Sequence, residues 1–582
     1  MNVLLKRLAP FARGPFALGP ALALALGGCA TLEAPDTAPA APAAEARQGA
    51  VSAADPRAEA AGMAILAKGG SATDAAIAVM LALTVVEPQS SGIGGGGFMV
   101  RADEEGVTAF DGRETAPAAA TATRFLGSDG EPLPRESRVT SGLSVGVPGN
   151  LALAAMAHAE HGRLPWSELF EPAIALARDG FVMNRRLHGS LDRAEDRADR
   201  TEAAKAIYFG GDGEPLPVGT RIKVPELADT LEAIARGGAE AFYRTRADAL
   251  AGHVAEQTPQ DGRMTARDIT SYSAKEREPV CVPYRTYRVC GMGPPSSGGI
   301  AVAQILGQLG RFDLADLGPQ SVTFWHLFLE SQRLAYADRE LYVADSDFVE
   351  VPVEGLLDPA YLSRRAALID PARALETAEP GTPPGAPMAR ADGDEPAENG
   401  TSHFAVVDGA GNAVSYTSTV EGAFGSGLFF GGFYLNNELT DFSLTPDKDG
   451  VPVANRVEGG KRPRSSMAPT IVYDRNGKIV LVIGAAGGPT IPVQVARSII
   501  GVVDFDMSAS EALGLPLIMA FGSTVIVEEG SVLSGMTDAL KDLGHDEIRS
   551  FSPSLKANAL RRTVEGWESA RDPRIEPKLG YE

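Results

Sequence analysis

Two periods alternate along this chain, and the places where they change divide it into elements. Residues 55–68 and 72–86 carry apolar side chains at helical spacing in Ala-rich stretches, with Gly69-Gly70-Ser71 between them. They predict two helices. Residues 150–250 and 300–345 again show helical spacing, punctuated by Pro and Gly. Strand patterns lie between. Phe98-Met99-Val100 follows the glycine run Gly94–Gly97, and residues 278–292 read as a hairpin around Tyr284-Arg285-Thr286-Tyr287. From Pro371 to Gly400 the periodicity is lost among six prolines and many Gly, Ala, Asp and Glu. Such a stretch buries little apolar area and is expected to be mobile. At residue 401 a period of two begins. Phe404–Val407 is apolar, Asp408–Asn412 is a turn and Ala413–Thr419 alternates. A second strand pair is predicted at Thr470–Tyr473 and Ile479–Gly484, around Asp474-Arg475-Asn476-Gly477. No internal repeat is visible. Helical segments beside antiparallel strands predict an α+β domain.

The first 29 residues fall outside that pattern. Lys6, Arg7 and Arg13 precede a short, mostly apolar segment, Phe16–Leu26, too short to span a bilayer. It ends in Leu26-Gly27-Gly28-Cys29, which resembles a bacterial lipobox. Residues 1–29 are then a lipoprotein signal and Cys29 the lipidated residue, anchored by several acyl chains. The other reading is an ordinary secretory signal with a chance cysteine. Ala30, rather than aspartate, follows Cys29 and points to the outer membrane. Residues 30–49, rich in Ala, Pro and Glu, read as a tether. The expectation is an exported, periplasm-facing protein, soluble there if the lipobox is not used.

Charge and composition narrow the function classes. The 582-residue chain has a formal charge of −22 and 44% hydrophobic residues. That balance argues against nucleic acid, which needs a clustered basic surface. The run Gly94–Gly97 invites a nucleotide-loop reading, but a strand pattern follows it where a helix is required. The seven histidines are scattered with no metal-ligand spacing, so neither a metal nor a cofactor is expected. His158 and His161 share a helix face and read as surface groups.

The junction at Gly400–Thr401 carries the most chemistry. Cleavage there would make Thr401 a new N-terminus. A threonine hydroxyl needs a nearby base. A free α-amino group, with a pKa of roughly 7.7–8.0, supplies one. One cut thus makes nucleophile and base together.

The motifs around this junction resemble the γ-glutamyltransferase (γ-glutamyltranspeptidase) family of N-terminal-nucleophile hydrolases. They are Gly94–Met99, Asp111–Glu114, Pro294–Gly299, Thr401–Phe404, Leu435–Glu438, Asp441–Ser443, Arg464–Met467 and Gly487-Gly488, in family order over about residues 50–575. The resemblance implies a four-layer αββα sandwich built from two chains of one autocleaved precursor. Residues 50–400 would form the large subunit, with 371–400 its mobile tail, and 401–582 the small one. It implies Thr401 as nucleophile, Thr419 as its supporting hydroxyl and an oxyanion hole at Gly487 and Gly488. Arg113 would take the substrate α-carboxylate, Glu438 and Asp441 the α-ammonium, and Ser465 and Ser466 would add hydroxyl bonds. Glu421 stands where many members have Asn, a third carboxylate near the ammonium site. The segment 444–461 reads as a shortened lid loop that leaves access more open, and 514–522 reads unlike the family. His403 lies on the same strand face as Thr401 and is as consistent with packing as with chemistry.

The activity implied is hydrolysis or transfer of γ-glutamyl groups from glutathione-like compounds to water or an amino acid. The alternatives are a related acylase, of glutaryl or poly-γ-glutamate type, or an uncleaved, non-catalytic binding lipoprotein. Cys281 and Cys290 face each other in the predicted hairpin, in a non-hydrogen-bonded pair with Cα atoms about 4.5 Å apart. In an oxidising compartment a disulfide and two reduced, buried thiols are both open.

Overall fold

The computed structural model describes residues 49–387, 391, 400–553 and 555–581. The signal segment with Cys29, the tether up to residue 48 and most of the stretch before Gly400 lie outside the described residues.

Two six-stranded antiparallel sheets form the centre. The first runs, in spatial order, Ala50–Ala53, Ser402–Val407, Ala413–Thr419, Gly96–Ala102, Val107–Gly112 and Lys275–Arg277. The second runs Trp567–Arg571, Asn558–Arg562, Ile479–Gly484, Thr470–Tyr473, Tyr287–Gly291 and Val280–Tyr284. Alternation decides which face each side chain serves. Phe404 and Val406 join the helices Ala72–Val86 and Asn150–His161 in one core, while Ala405 and Val407 join Ile471, Leu481 and Ile483 between the sheets. Both faces are therefore buried, which is why these strands read as nearly continuous apolar runs. Against the outer face of the second sheet lie the helices Gly298–Leu309 and Ile491–Val503, and the helix Val322–Tyr342 packs on the first of these. The layers are thus helix, sheet, sheet, helix. Polar ties cross the inter-sheet space. The Ser415 hydroxyl donates to the Ile483 carbonyl at 3.0 Å, and Asn558 Nδ2 donates to the His403 carbonyl at 2.8 Å.

The predicted elements sit close to their expected bounds. The first two helices are Pro56–Ala67 and Ala72–Val86, the second opened by a reciprocal Ser71/Asp74 cap. The second helix is apolar on every side and is buried along its whole length. The hairpin Val280–Tyr284/Tyr287–Gly291 turns at Arg285-Thr286 and sets Cys281 opposite Cys290, where they form a disulfide with Cα atoms 4.1 Å apart.

Part of the stretch expected to be mobile is tied down. Ala374 N–H donates to the Leu543 carbonyl at 2.6 Å, and Gly381 N–H donates to Asp338 at 2.7 Å. These partners are remote in sequence, so composition gave no sign of them. Residues 388–390 and 392–399 lie outside the described residues. Residues 514–522 begin a small sheet, Ile518–Phe521, Thr524–Glu528 and Glu547–Phe551, whose first strand packs on the helix Val322–Tyr342.

Candidate active site

Thr401 immediately precedes the strand Ser402–Val407, and Thr419 ends the neighbouring strand. Ser402 pairs with Ser418, so the two threonines meet just past the last paired residues. Their hydroxyl oxygens are 3.4 Å apart, and both residues are buried. The Thr401 hydroxyl is also hydrogen-bonded to the Gly400 carbonyl oxygen, on the bond whose cleavage would free its amine. Thr419 Oγ1 accepts from the Glu421 N–H at 2.8 Å, which fixes its orientation. Glycine is required at 400: a Cβ there would stand 1.8 Å from the Glu421 carbonyl oxygen.

Gly95 serves the same corner. A Cβ on it would meet the Thr419 carbonyl oxygen at 1.9 Å. The glycine run thus lets one strand approach the end of another.

The charged cluster adjoins this corner through Glu421 and Asn437, which are hydrogen-bonded to each other. Arg113 ends the turn after Val107–Gly112, with its N–H held by Asp111 at 2.8 Å. Its two terminal nitrogens bond Glu438 and Asp441, and its remaining N–H donors reach the Pro463 and Arg464 carbonyls at 3.2 and 2.9 Å. Glu438 and Asp441 lie on one turn of 3-10 helix, Glu438–Asp441, so one guanidinium meets both. The asparagines before them are struts. Asn436 accepts from Gly146 N–H at 2.9 Å and donates to the Gly94 carbonyl at 2.8 Å; Asn437 accepts from Gly422 N–H at 2.9 Å. Asn437 Nδ2 also bonds Glu421, whose φ of 71° lies in the left-handed region that few non-glycine residues adopt.

Ser465 and Ser466 sit behind this cluster. Ser465 Oγ accepts from Met467 N–H at 3.2 Å, and its carbonyl receives the Ser297 hydroxyl at 2.7 Å. Ser466 Oγ accepts from Arg339 Nη2 at 2.8 Å. The Pro294–Gly299 motif therefore braces the serine pair through Ser297. Gly487 and Gly488 have φ of 130° and 55° and open a short 3-10 turn ahead of the helix Ile491–Val503. The first N–H groups of a helix have no intrahelical acceptor and carry partial positive charge, which suits an oxyanion.

A family model described as gamma-glutamyltranspeptidase matches residues 58–579. The chain belongs to the γ-glutamyltranspeptidase family. It is 39% identical to the glutathione hydrolase proenzyme of Escherichia coli (strain K12), over 81% of this chain and 80% of that protein. It is 37% identical to the glutathione hydrolase proenzyme of Bacillus subtilis (strain 168), over 86% of this chain and 85% of the relative. Among solved structures, cephalosporin acylase from Bacillus halodurans superposes with a TM-score of 0.79 at 28% identity, covering 93% of this chain and 97% of that one. The family membership makes the chain an N-terminal-nucleophile enzyme with the sandwich described above.

Several residues escaped the sequence reading. Glu114, quoted above only as part of the Asp111–Glu114 motif and given no role, is fully buried beside Arg113. Burial pushes its carboxyl up to about 8, against the pull of Arg113. Arg339 and Asn455 brace the site from outside the motifs. Arg339 donates to the Ser297 and Ser466 hydroxyls, and Asn455 joins the Asp441 carbonyl to the Arg464 N–H at 2.7 and 2.9 Å. Asn455 belongs to the segment 444–461, so that segment supports the Arg113 cluster. His403 is packing: it bonds Thr417 Oγ1 at 2.9 Å, and burial pushes its imidazole down to about 3. His158 and His161 are not surface groups. His158 bonds the Leu164 carbonyl at 2.9 Å, and His161 meets the Phe110 ring edge-on.

The scattered histidines do converge once among the described residues. His326, Glu330 and His545 are buried with ligand atoms within 4.8 Å of one another. Hydrogen bonds engage them all: His326 bonds His545 at 2.9 Å and the Asp370 carbonyl at 2.8 Å, while Glu330 accepts from Arg333 and from Leu375 N–H. Arg333 disfavours a second cation there, and the group is a satisfied polar network.

Proposed function

We propose that this enzyme cleaves itself at Gly400–Thr401 and then hydrolyses or transfers the γ-glutamyl group of glutathione and other γ-glutamyl compounds. The observation that carries the reading is that two complementary sets, Thr401 with Thr419 and Arg113 with Glu438 and Asp441, are tied together through Glu421 and Asn437. In turnover the Thr401 hydroxyl oxygen attacks the γ-carbonyl carbon and its proton passes to the Thr401 α-amine. The carbonyl oxygen, now negative, is held by the N–H groups at Gly487 and Gly488. The C–N bond breaks as the amine returns the proton to the departing nitrogen, leaving a γ-glutamyl ester on Thr401. Water or an amino acid then attacks that ester, its C–O bond breaks and Thr401 regains its proton.

A γ-glutamyl group brings an α-carboxylate and an α-ammonium. Without substrate, Arg113 is paired to two buried carboxylates. A zwitterion entering this network gives Arg113 a carboxylate to fork and gives Asp441 and Glu438 an ammonium, so that each charge stays matched. A glutaryl group lacks the ammonium and leaves the two carboxylates with Arg113 alone. The likeness to the cephalosporin acylase structure supports glutaryl-type acyl groups as the second reading. The leader sequence supports export and lipid attachment at Cys29.

The test is turnover of a γ-glutamyl anilide beside a glutaryl anilide by the cleaved protein, with and without a dipeptide acceptor. Preference for the γ-glutamyl compound supports the reading. Preference for the glutaryl compound replaces it with the acylase.

A further inference from the structure

Arg113 is held both at its backbone and at its guanidinium, and Arg462 stands where the two arrangements meet. The Arg113 N–H donates to Asp111 Oδ1 at 2.8 Å, and the Arg113 carbonyl accepts from the Tyr272 hydroxyl at 2.7 Å. The Arg113 guanidinium donates to the Pro463 and Arg464 carbonyls at 3.2 and 2.9 Å. Arg462 Nε lies 3.2 Å from Asp111 Oδ2, and the Arg462 guanidinium lies 5.7 Å from the centre of the Tyr272 ring. In sequence Arg462 leads directly into Pro463 and Arg464. One side chain thus touches both groups that fix the Arg113 backbone and adjoins both carbonyls that aim its fork.

Arg462 is itself immobilised. It is 3% exposed and Asp111 is fully buried, so their attraction is little screened by solvent. The Arg462 N–H donates to Asp345 at 2.9 Å, and Nη2 donates to the Ser273 carbonyl at 2.9 Å. Asp111, Tyr272, Ser273 and Asp345 come from before residue 400, whereas Arg462, Pro463 and Arg464 come from after it. The setting of Arg113 is therefore assembled across Gly400–Thr401. Arg277 offers a contrast within the same network. It meets the same Asp111 Oδ2 at 2.9 Å, and its terminal nitrogens fork Asp347 at 2.8 and 2.7 Å. It sits on the edge strand Lys275–Arg277 and is not joined in sequence to the carbonyls that receive Arg113.

We infer that Arg462 is a positioning residue for Arg113, tying its backbone, through Asp111 and Tyr272, to the two carbonyls that aim its guanidinium. The inference rests on the reading of Arg113 as the partner of the substrate α-carboxylate. A planar fork meets a carboxylate well in one orientation, so a fork left to turn binds it less tightly. Arg462 touches neither Thr401 nor the reacting atoms in this account. Its loss belongs in KM rather than in kcat, the mark of an interaction made equally in ground state and transition state.

The experiment measures KM, kcat and melting temperature of the cleaved protein with a γ-glutamyl anilide. Arg462→Gln should raise KM by about tenfold or more, the scale of one charged hydrogen bond, and leave kcat within about threefold. Arg277→Gln takes a cation from the same carboxylate; it should lower the melting temperature and leave KM within about twofold. The double variant Arg113→Lys/Arg462→Gln should raise KM by less than the product of the single effects, because both act on one contact. Tyr272→Phe removes only the hydroxyl on the Arg113 carbonyl and serves should Arg462→Gln fail to fold. It should raise KM by about threefold, the scale of a neutral hydrogen bond. Equal effects of Arg462→Gln and Arg277→Gln on KM overturn the inference, since a purely structural role would give them. So does a loss confined to kcat, a double variant at the full product, or an unchanged KM in Tyr272→Phe. If Arg113→Lys itself stays within about twofold of the parent, the carboxylate reading of Arg113 fails and takes the inference with it. If Arg113→Lys is impaired and Arg462→Gln is not, the inference alone falls.

Discussion

Arg113 and Glu114 are neighbours in sequence with opposite fates. Arg113 makes two ion pairs with buried carboxylates. Lysine would keep the charge but lose the planar fork, so Arg113→Lys should lower kcat/KM on a γ-glutamyl anilide by at least about tenfold, the scale of one charged hydrogen bond. Activity within twofold of the unaltered enzyme would remove Arg113 from the clamp. Glu114 is an acid whose folded pKa, about 8, lies above its ordinary value. Its contribution to stability is full below the ordinary carboxylate range and is lost as pH rises towards 8, because the unfolded chain gives up the proton first. Glu114→Gln fixes the neutral form. Melting temperature should therefore fall less between pH 5 and 8 in the variant than in the parent, and equal slopes would disprove this. The motif residues were legible because each is short-range: Arg113, Asp441 and Ser465 stand in contiguous strings. The charge state of Glu114 was not legible, since burial is set by Gly96 and Gly146, which pack against its side chain from two other segments.

Strands and helices were the most readable scale. The hairpins at 280–291 and 402–419 and the strand pair at 470–484 follow from alternation bounded by turn residues. Sheet order did not follow, because pairing between distant strands leaves no local mark: Ala50–Ala53 lies beside Ser402–Val407, across most of the large segment. The same remoteness hid the anchoring of residues 371–387 on Leu543 and Asp338. Close packing between strands yields a prediction at Gly95. Gly95→Ala must displace the end of Ala413–Thr419, since the Thr419 carbonyl oxygen stands 1.9 Å from the added carbon. The expected outcome is a folded chain that remains a single band on a denaturing gel, with circular dichroism near that of the parent; normal cleavage would show that the Thr401–Thr419 contact tolerates the shift. The hairpin disulfide closes a short loop. Cys281→Ser should cost at most about 3 kcal/mol by loop entropy, read as a modest fall in melting temperature that matches the effect of reductant on the parent.

Across the whole molecule, the first sheet is woven from both sides of the proposed cleavage point, Gly400–Thr401. Its order takes one strand from before residue 400, two from after it, then three from before. After cleavage the two polypeptides should elute together in native size-exclusion chromatography and part only in denaturant; elution as separate peaks would contradict the pairing. Cys29→Ser should move the protein out of the membrane fraction, and an unchanged distribution would count against lipid attachment. The weave has a further consequence for the lifetime of the enzyme. The precursor finds its fold as one tethered chain, with every strand held at a high effective concentration. Once cut, the same sheet could re-form only by a meeting of two separate, incomplete chains, each exposing unpaired strand edges and so inclined to aggregate. Recovery from unfolding becomes dependent on dilution, and the working enzyme persists by the slowness with which it comes apart.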